Sequence, residues 1–309
     1  MKLDSHSQHS ELATTVCGDP PLSDSPASLR DDLLELTKAR LTALVLATTA
    51  VGFALAARGG GIEWLLMLHT LLGTALVAAG SSIFNQIAER RRDARMSRTR
   101  ERPLAAGRIT PASAALGATI ASVAGIVYLA LATTQLAAAI ALLTFVVYLA
   151  IYTPLKSRSS ACTLVGGVSG ALPPVIGWSA AGGQLDSGAL YLFALLFFWQ
   201  MPHFLAINWM YREQYQSAGF VMWSNNDDTG RRTAWLALGF SLLLAAASLA
   251  QPQVIRSWPT LLAALLLAIP LLRLAVGFFR SRNRASARRL FLFTLAYLPL
   301  MLPALLVWA

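Results

Sequence analysis

A chain of 309 residues that is 56% hydrophobic and only 13% charged is too apolar for an ordinary soluble domain. Its formal net charge of +10 does not point to nucleic acid, because the basic residues punctuate apolar runs and form no continuous face. Two cysteines, Cys17 in a polar stretch and Cys162 opening an apolar one, suggest neither a disulfide framework nor a thiolate metal site.

The chain opens with residues 1–32, which mix Ser, Pro and His with the acids Asp4, Glu11, Asp19 and Asp24. This composition predicts a disordered cytosolic tail. It lacks the apolar core of a signal peptide, and its acids are foreign to a mitochondrial transit peptide. A bacterial inner (plasma) membrane is therefore the expected location.

Residues 33–309 read as a single all-α, polytopic transmembrane domain. A helix needs about 20 mostly apolar residues to cross the hydrocarbon layer. Nine segments qualify: roughly 40–57, 64–85, 112–132, 135–152, 162–181, 188–209, 233–250, 259–278 and 290–308. Only Thr133, Thr134 and Gln135 separate the third from the fourth, so eight spans with one long helix is the alternative. Charge favours nine: with that count, 22 of the 25 Lys and Arg fall on the side of the N-terminus. The positive-inside rule then predicts a cytosolic N-terminus and a C-terminus outside.

No Asp or Glu lies in a span interior, which argues against an ion-coupled transporter. The acids gather in two cytosolic loops, Glu89, Asp93 and Glu101 after the second span and Glu213, Asp227 and Asp228 after the sixth. Asn85, Glu89 and Asp93 stand four residues apart. On a helix continuing from the second span they form one stripe, drifting by about 40° per step over roughly 12 Å. Oxygen donors on one face suit Mg²⁺, which binds through one or two carboxylates and keeps other positions for water and phosphate. Arg98, Arg102 and Arg108 add donors that grip phosphate bidentately. The plainer alternative is a solvated loop whose charges set topology and whose Glu89 and Asp93 pair with nearby arginines.

Three blocks carry a family resemblance. Asn85, Glu89 and Asp93 followed by MSRTRERPL resemble the first motif of the UbiA superfamily of intramembrane prenyltransferases, and the continuation is similar to its heme O synthase (protoheme IX farnesyltransferase) branch. YTPLKSRSSACTLVGGVSGALPPVIGW, residues 152–178, and FFWQMPHFLAINWMYREQYQSAGF, residues 197–220, are similar to further signatures of that branch. There are departures. Glu89 stands where the family has Asp, Gln214 where it has Asp, and Cys162 where it has Asn. Glu213, or Asp227 and Asp228, would then supply the second acidic site.

The resemblance implies a nine-helix UbiA-type bundle that uses Mg²⁺ to transfer a farnesyl group from farnesyl diphosphate to a vinyl group of protoheme IX. It implies Asn85, Glu89 and Asp93 at Mg²⁺-diphosphate, with Arg98, Arg102 and Lys156 on phosphate oxygens. Arg158, Arg212, Tyr152, Tyr215 and His203 join them as substrate-binding residues, and Asp227 and Asp228 as further metal candidates. Tyr148, Tyr152, Trp199, Phe204 and Tyr215 are candidates to wall the pocket of an allylic cation. The implied partners are the lipid bilayer and cytochrome oxidase or heme A synthesis machinery, with no nucleic acid. His203 has three readings: a ligand of heme iron, a donor to a propionate, or a partner for a carbonyl freed by Pro202. His69 has no motif around it and reads as core. A UbiA-type enzyme with a quinone-precursor acceptor and a non-enzymatic heme-handling protein are the competing functions.

Overall fold

The computed structural model describes residues 28–253 and 255–308. Most of the expected tail, with Cys17, lies outside the described residues, but its last residues depart from expectation. Leu29–Leu36 form helix α1, capped by Ser28, whose Oγ accepts from the Asp31 backbone N–H. Twelve further helices follow: α2 (Ala39–Ala56), α3 (Trp64–Asp93), α4 (Pro111–Ala132), α5 (Gln135–Val146), α6 (Thr153–Leu155), α7 (Cys162–Ala171), α8 (Pro173–Ala180), α9 (Ser187–Met210), α10 (Arg212–Ser217), α11 (Arg231–Leu249), α12 (Trp258–Ser281) and α13 (Arg284–Trp308). A π-helical turn, Val147–Tyr152, joins α5 to α6. No strand occurs among the described residues.

Eight helices are long and apolar enough to cross a membrane, counting Gln135–Leu155 as one. The fifth of the nine expected spans is not among these eight, being two short helices that meet at Leu172. Pro173 and Pro174 cause the break, because neither can donate the backbone hydrogen bond that would continue α7. The third and fourth spans are separate. Thr133 leaves helical geometry, and Thr134 caps α5 through a hydrogen bond from Ala137 N. Beyond α2, Arg58 donates to the carbonyls of Leu305 and Leu306, so the far end of α2 and the end of α13 share one side of the bundle.

Small residues set how closely the helices approach, as expected where lipid provides no hydrophobic drive between them. A Cβ on Gly52 would lie 1.9 Å from the Pro174 carbonyl oxygen, and one on Gly177 would lie 1.9 Å from that of Thr49. The backbones of α2 and α8 therefore touch. On the outer surface leucines face outward, Leu131 being 82% exposed, which suits an apolar solvent.

Candidate active site

α3 runs eight residues past the apolar segment, to Asp93, and carries the stripe into the protein rather than into water. Asn85, Glu89 and Asp93 are all buried. A cavity of about 410 Å³, within the size range of small-molecule sites, opens beside them. Glu89, Asp93, Lys38, Arg98, Arg102 and Lys156 line its mouth, and Val45, Thr74, Val77, Ala141 and Ile176 line its deep end, above the contact of α2 with α8.

Three loops hold the mouth together. Met96, Cys162, Ala218, Phe220 and Met222 form a small core of their own, joining the segments after α3, α6 and α10. Thr99 Oγ1 donates to the Asp93 carbonyl at 2.9 Å, turning the loop after α3 back over the helix end. Val221 N donates to the Lys156 carbonyl at 2.7 Å. Helix α1 closes the other side. Leu36 packs with Ile83, Leu104, Ala114 and Ala118, while Arg108 Nη2 meets Asp32 Oδ1 at 2.7 Å. Arg108, expected to grip phosphate, is thus used to fasten α1.

Each carboxylate of the stripe has a cationic neighbour. Lys156 Nζ lies 2.8 Å from Glu89 Oε1, and Arg102 Nη1 lies 2.9 Å from Asp93 Oδ2. Burial works against the charge of Lys156, yet the Tyr152 hydroxyl and the Glu89 carboxylate beside it outweigh that and hold its amine well above the usual lysine value. The ammonium also sits over the Tyr152 ring, 4.5 Å from its centre. The π-helical turn presents Tyr148 and Tyr152 as neighbours, ring centres 5.3 Å apart. Pro154, which has no N–H to give, explains why the helix widens there.

Asn85 departs from expectation. It does not line the cavity. Its Oδ1 accepts from Lys38 Nζ at 2.8 Å, and its Nδ2 donates to Thr153 Oγ1 at 3.2 Å. Lys38 is a site residue that sequence reasoning took only as topogenic. It stands between α1 and α2 in the left-handed region (φ 49°), an unusual conformation for a residue with a Cβ, and this turns its amine into the cavity. Burial, with help from the nearby Lys156 and Arg102, lowers its pKa to about 7. No motif marked it, since Arg40 two residues on has the same boundary position.

Other expected residues lie elsewhere. Asp227 is not at the cavity: Oδ1 accepts from Arg232 N, and Oδ2 from Thr233 N and Thr233 Oγ1, so its carboxylate caps α11. Asp228 and Arg158 are exposed and outside the lining. Arg212 stacks on Trp209, 4.4 Å from the ring centre. His203 faces α13, with Nδ1 2.9 Å from Thr294 Oγ1 and its ring stacked on Trp199. Trp199 donates to the Thr294 carbonyl and is likewise outside the lining. Tyr148, Tyr152, Phe204 and Tyr215 do line the cavity. His69 bonds Tyr128 across α3 and α4 at 2.6 Å, a packing role.

The donor set can be weighed against a metal. No group of three or more His, Cys, Asp or Glu that could hold an ion by itself occurs among the described residues. Two buried carboxylates four residues apart do suit Mg²⁺ that shares its coordination with a diphosphate. Glu89 Oε1 fits this best: despite its near Lys156 it accepts no well-directed hydrogen bond.

The comparisons agree with this architecture. Residues 45–298 match the UbiA prenyltransferase family. Protoheme IX farnesyltransferase of Myxococcus xanthus is 42% identical over 280 residues, 89% of this chain and 94% of that protein. The mitochondrial protoheme IX farnesyltransferase of Homo sapiens is 41% identical over 272 residues, 87% of this chain, which spans only 60% of the human protein's length. In fold, the chain is similar to a solved structure concerning digeranylgeranylglyceryl phosphate synthase, with a TM-score of 0.76, 17% identity, and coverage of 90% of this chain and 97% of that one. It is also similar to a UbiA homolog from Archaeoglobus fulgidus bound to GPP and Mg²⁺, with a TM-score of 0.62, 14% identity, and coverage of 89% and 99%. The chain belongs to the UbiA prenyltransferase family.

Proposed function

We propose that this protein catalyses Mg²⁺-dependent transfer of a farnesyl group from farnesyl diphosphate to a vinyl group of protoheme IX, giving heme O and diphosphate. The observation that carries the reading is the paired arrangement of Glu89 with Lys156 and Asp93 with Arg102 at the charged mouth of an otherwise apolar, aromatic-walled cavity. The protoheme IX farnesyltransferases to which the chain is similar support the choice of acceptor and donor.

The bond from C1 of the farnesyl chain to the diphosphate oxygen breaks, and charge builds on that oxygen. Lys156, Arg102 and Arg98 lie where they can take up this charge, with Lys38 beside them held by Asn85. Mg²⁺ held by Glu89 and Asp93 through the diphosphate would supply Lewis-acid stabilisation of the leaving group. The allylic cation would face the rings of Tyr148, Tyr152, Phe204 and Tyr215, which line the cavity. A vinyl carbon of the porphyrin bonds to C1, and water adds to the cation left on the vinyl group and loses a proton, which completes the hydroxyethylfarnesyl substituent. Both substrates partition into lipid, which suits an enzyme built of membrane-spanning helices. We place the protein in a bacterial inner membrane, with the charged mouth cytosolic.

The test is incubation of the purified protein with protoheme, farnesyl diphosphate and Mg²⁺, with mass spectrometry for heme O. Absence of that product, together with prenylation of a quinone precursor, would sink the reading in favour of another aromatic acceptor.

A further inference from the structure

Arg98, Arg102 and Lys156 outnumber Glu89 and Asp93 among the charged side chains that line the cavity, with the Lys38 amine beside them. The protein's own groups therefore make the mouth attractive to an anion and repellent to a lone divalent cation. At contact distances and low dielectric this sign decides which ligand can enter. One oxygen of each carboxylate is also ion-paired, Glu89 Oε1 with Lys156 at 2.8 Å and Asp93 Oδ2 with Arg102 at 2.9 Å.

Each cation already holds a second partner, which would remain if it left its carboxylate. Val221 N holds the Lys156 backbone at its carbonyl, and the Lys156 ammonium already sits over the Tyr152 ring, 4.5 Å from its centre. Arg102 has a second carboxylate, Glu35, 3.6 Å from its Nε. The Lys156 contact with Glu89 is close but poorly directed, since Glu89 Oε1 accepts no aligned hydrogen bond.

We propose that Lys156 and Arg102 are exchangeable counter-ions, so that divalent metal and diphosphate load only together. As the diphosphate arrives the two side chains leave Glu89 and Asp93 for phosphate oxygens, and the metal replaces them on the carboxylates. No bond is made or broken in this step; ion pairs are traded. The proposal rests on the diphosphate site described above. It makes Lys156 and Arg102 gatekeepers against metal alone as well as ligands of the leaving group. Linkage requires the effect to be reciprocal: metal must tighten diphosphate binding by the same factor by which diphosphate tightens metal binding.

The test uses the full chain in phosphatidylcholine nanodiscs, with Mn²⁺ as a spectroscopic probe of the divalent site and inorganic pyrophosphate as the anion. Bound Mn²⁺ is read by electron paramagnetic resonance with and without pyrophosphate. The expected result is that pyrophosphate tightens Mn²⁺ binding by about tenfold or more, within the usual range for coupled sites. Coupling below twofold in the wild-type protein overturns the proposal without any variant being needed. Lys156→Met should bind Mn²⁺ alone more tightly than wild type, with the coupling largely lost. A folded Lys156→Met protein whose affinity for Mn²⁺ alone is unchanged or weaker also overturns it. Glu89→Gln separates the two readings. If Mn²⁺ binds equally well with and without pyrophosphate and Glu89→Gln weakens it, the site stands and the exchange fails. If Glu89→Gln changes nothing, the diphosphate site itself fails and the exchange falls with it.

Discussion

The loop after α3 and the loop after α9 look alike as sequence, each a run of acids and arginines following an apolar span, but they do different work. In the first, α3 extends rigidly to Asp93 and points Glu89 and Asp93 at the cavity, where cations from separate segments meet them. In the second, the chain breaks into α10 and turns. Asp227 caps α11, Arg212 lies on Trp209, and what reaches the cavity is Tyr215, Phe220 and Met222. A carboxylate becomes a site residue when a continuing helix fixes its direction; in a turn it satisfies the nearest orphan backbone N–H groups instead.

Substitutions can break or sharpen this contrast. The largest effect is expected from Asp93→Ala, which should lower turnover by about a hundredfold or more through lost stabilisation of the leaving group, measured as kcat on purified protein. A helical fold retained by circular dichroism with full activity would remove Asp93 from the site. Lys38→Met should cost about tenfold in kcat/KM, a smaller loss because Lys156, Arg98 and Arg102 remain; unchanged kinetics would return Lys38 to a purely topogenic role. Asp227→Ala should instead cost about 1–2 kcal/mol of stability, as loss of a helix cap does, while kcat of the folded fraction stays within about twofold. A collapse of kcat at unchanged stability would restore Asp227 to the site.

A pH series sharpens the contrast further. Lys38 has a folded pKa near 7 and an ordinary value of 10.5, so between these limits the unfolded chain binds the extra proton. Stability should therefore rise as pH increases from about 7 towards 10, and Lys38→Met should lose that part of the rise in thermal melts. Arg212→Ala is expected to be the mildest change, about 0.5–1 kcal/mol from its lost ring contact and no change in KM for the diphosphate.

Much of this was legible beforehand. Apolar run length marked eight of the spans, and the four-residue spacing put Glu89 and Asp93 on one helical face. Lys156, Tyr152 and Tyr215, carried over from the family's blocks, do line the cavity. Other placements could not be read. His203 and Trp199 sit in the same block as Gln200 and Phe204, yet the first two turn to α13 and the latter two to the cavity, because a helix of 3.6 residues per turn sends neighbours to different faces. Arg108 resembles Arg102 in the same loop, but only the position of Asp32 on α1 assigns it to a clasp.

By itself the sequence determined the class, the all-helical membrane-embedded chain and the acidic stripe, since these follow from hydrophobic length and from helical period, which are local. Tertiary structure alone decided which cations answer the stripe. Lys38 lies 47 residues from the Asn85 it bonds, and no spacing rule spans such a distance. It also decided that α8 comes against the backbone of α2, because close approach depends on what stands opposite each glycine.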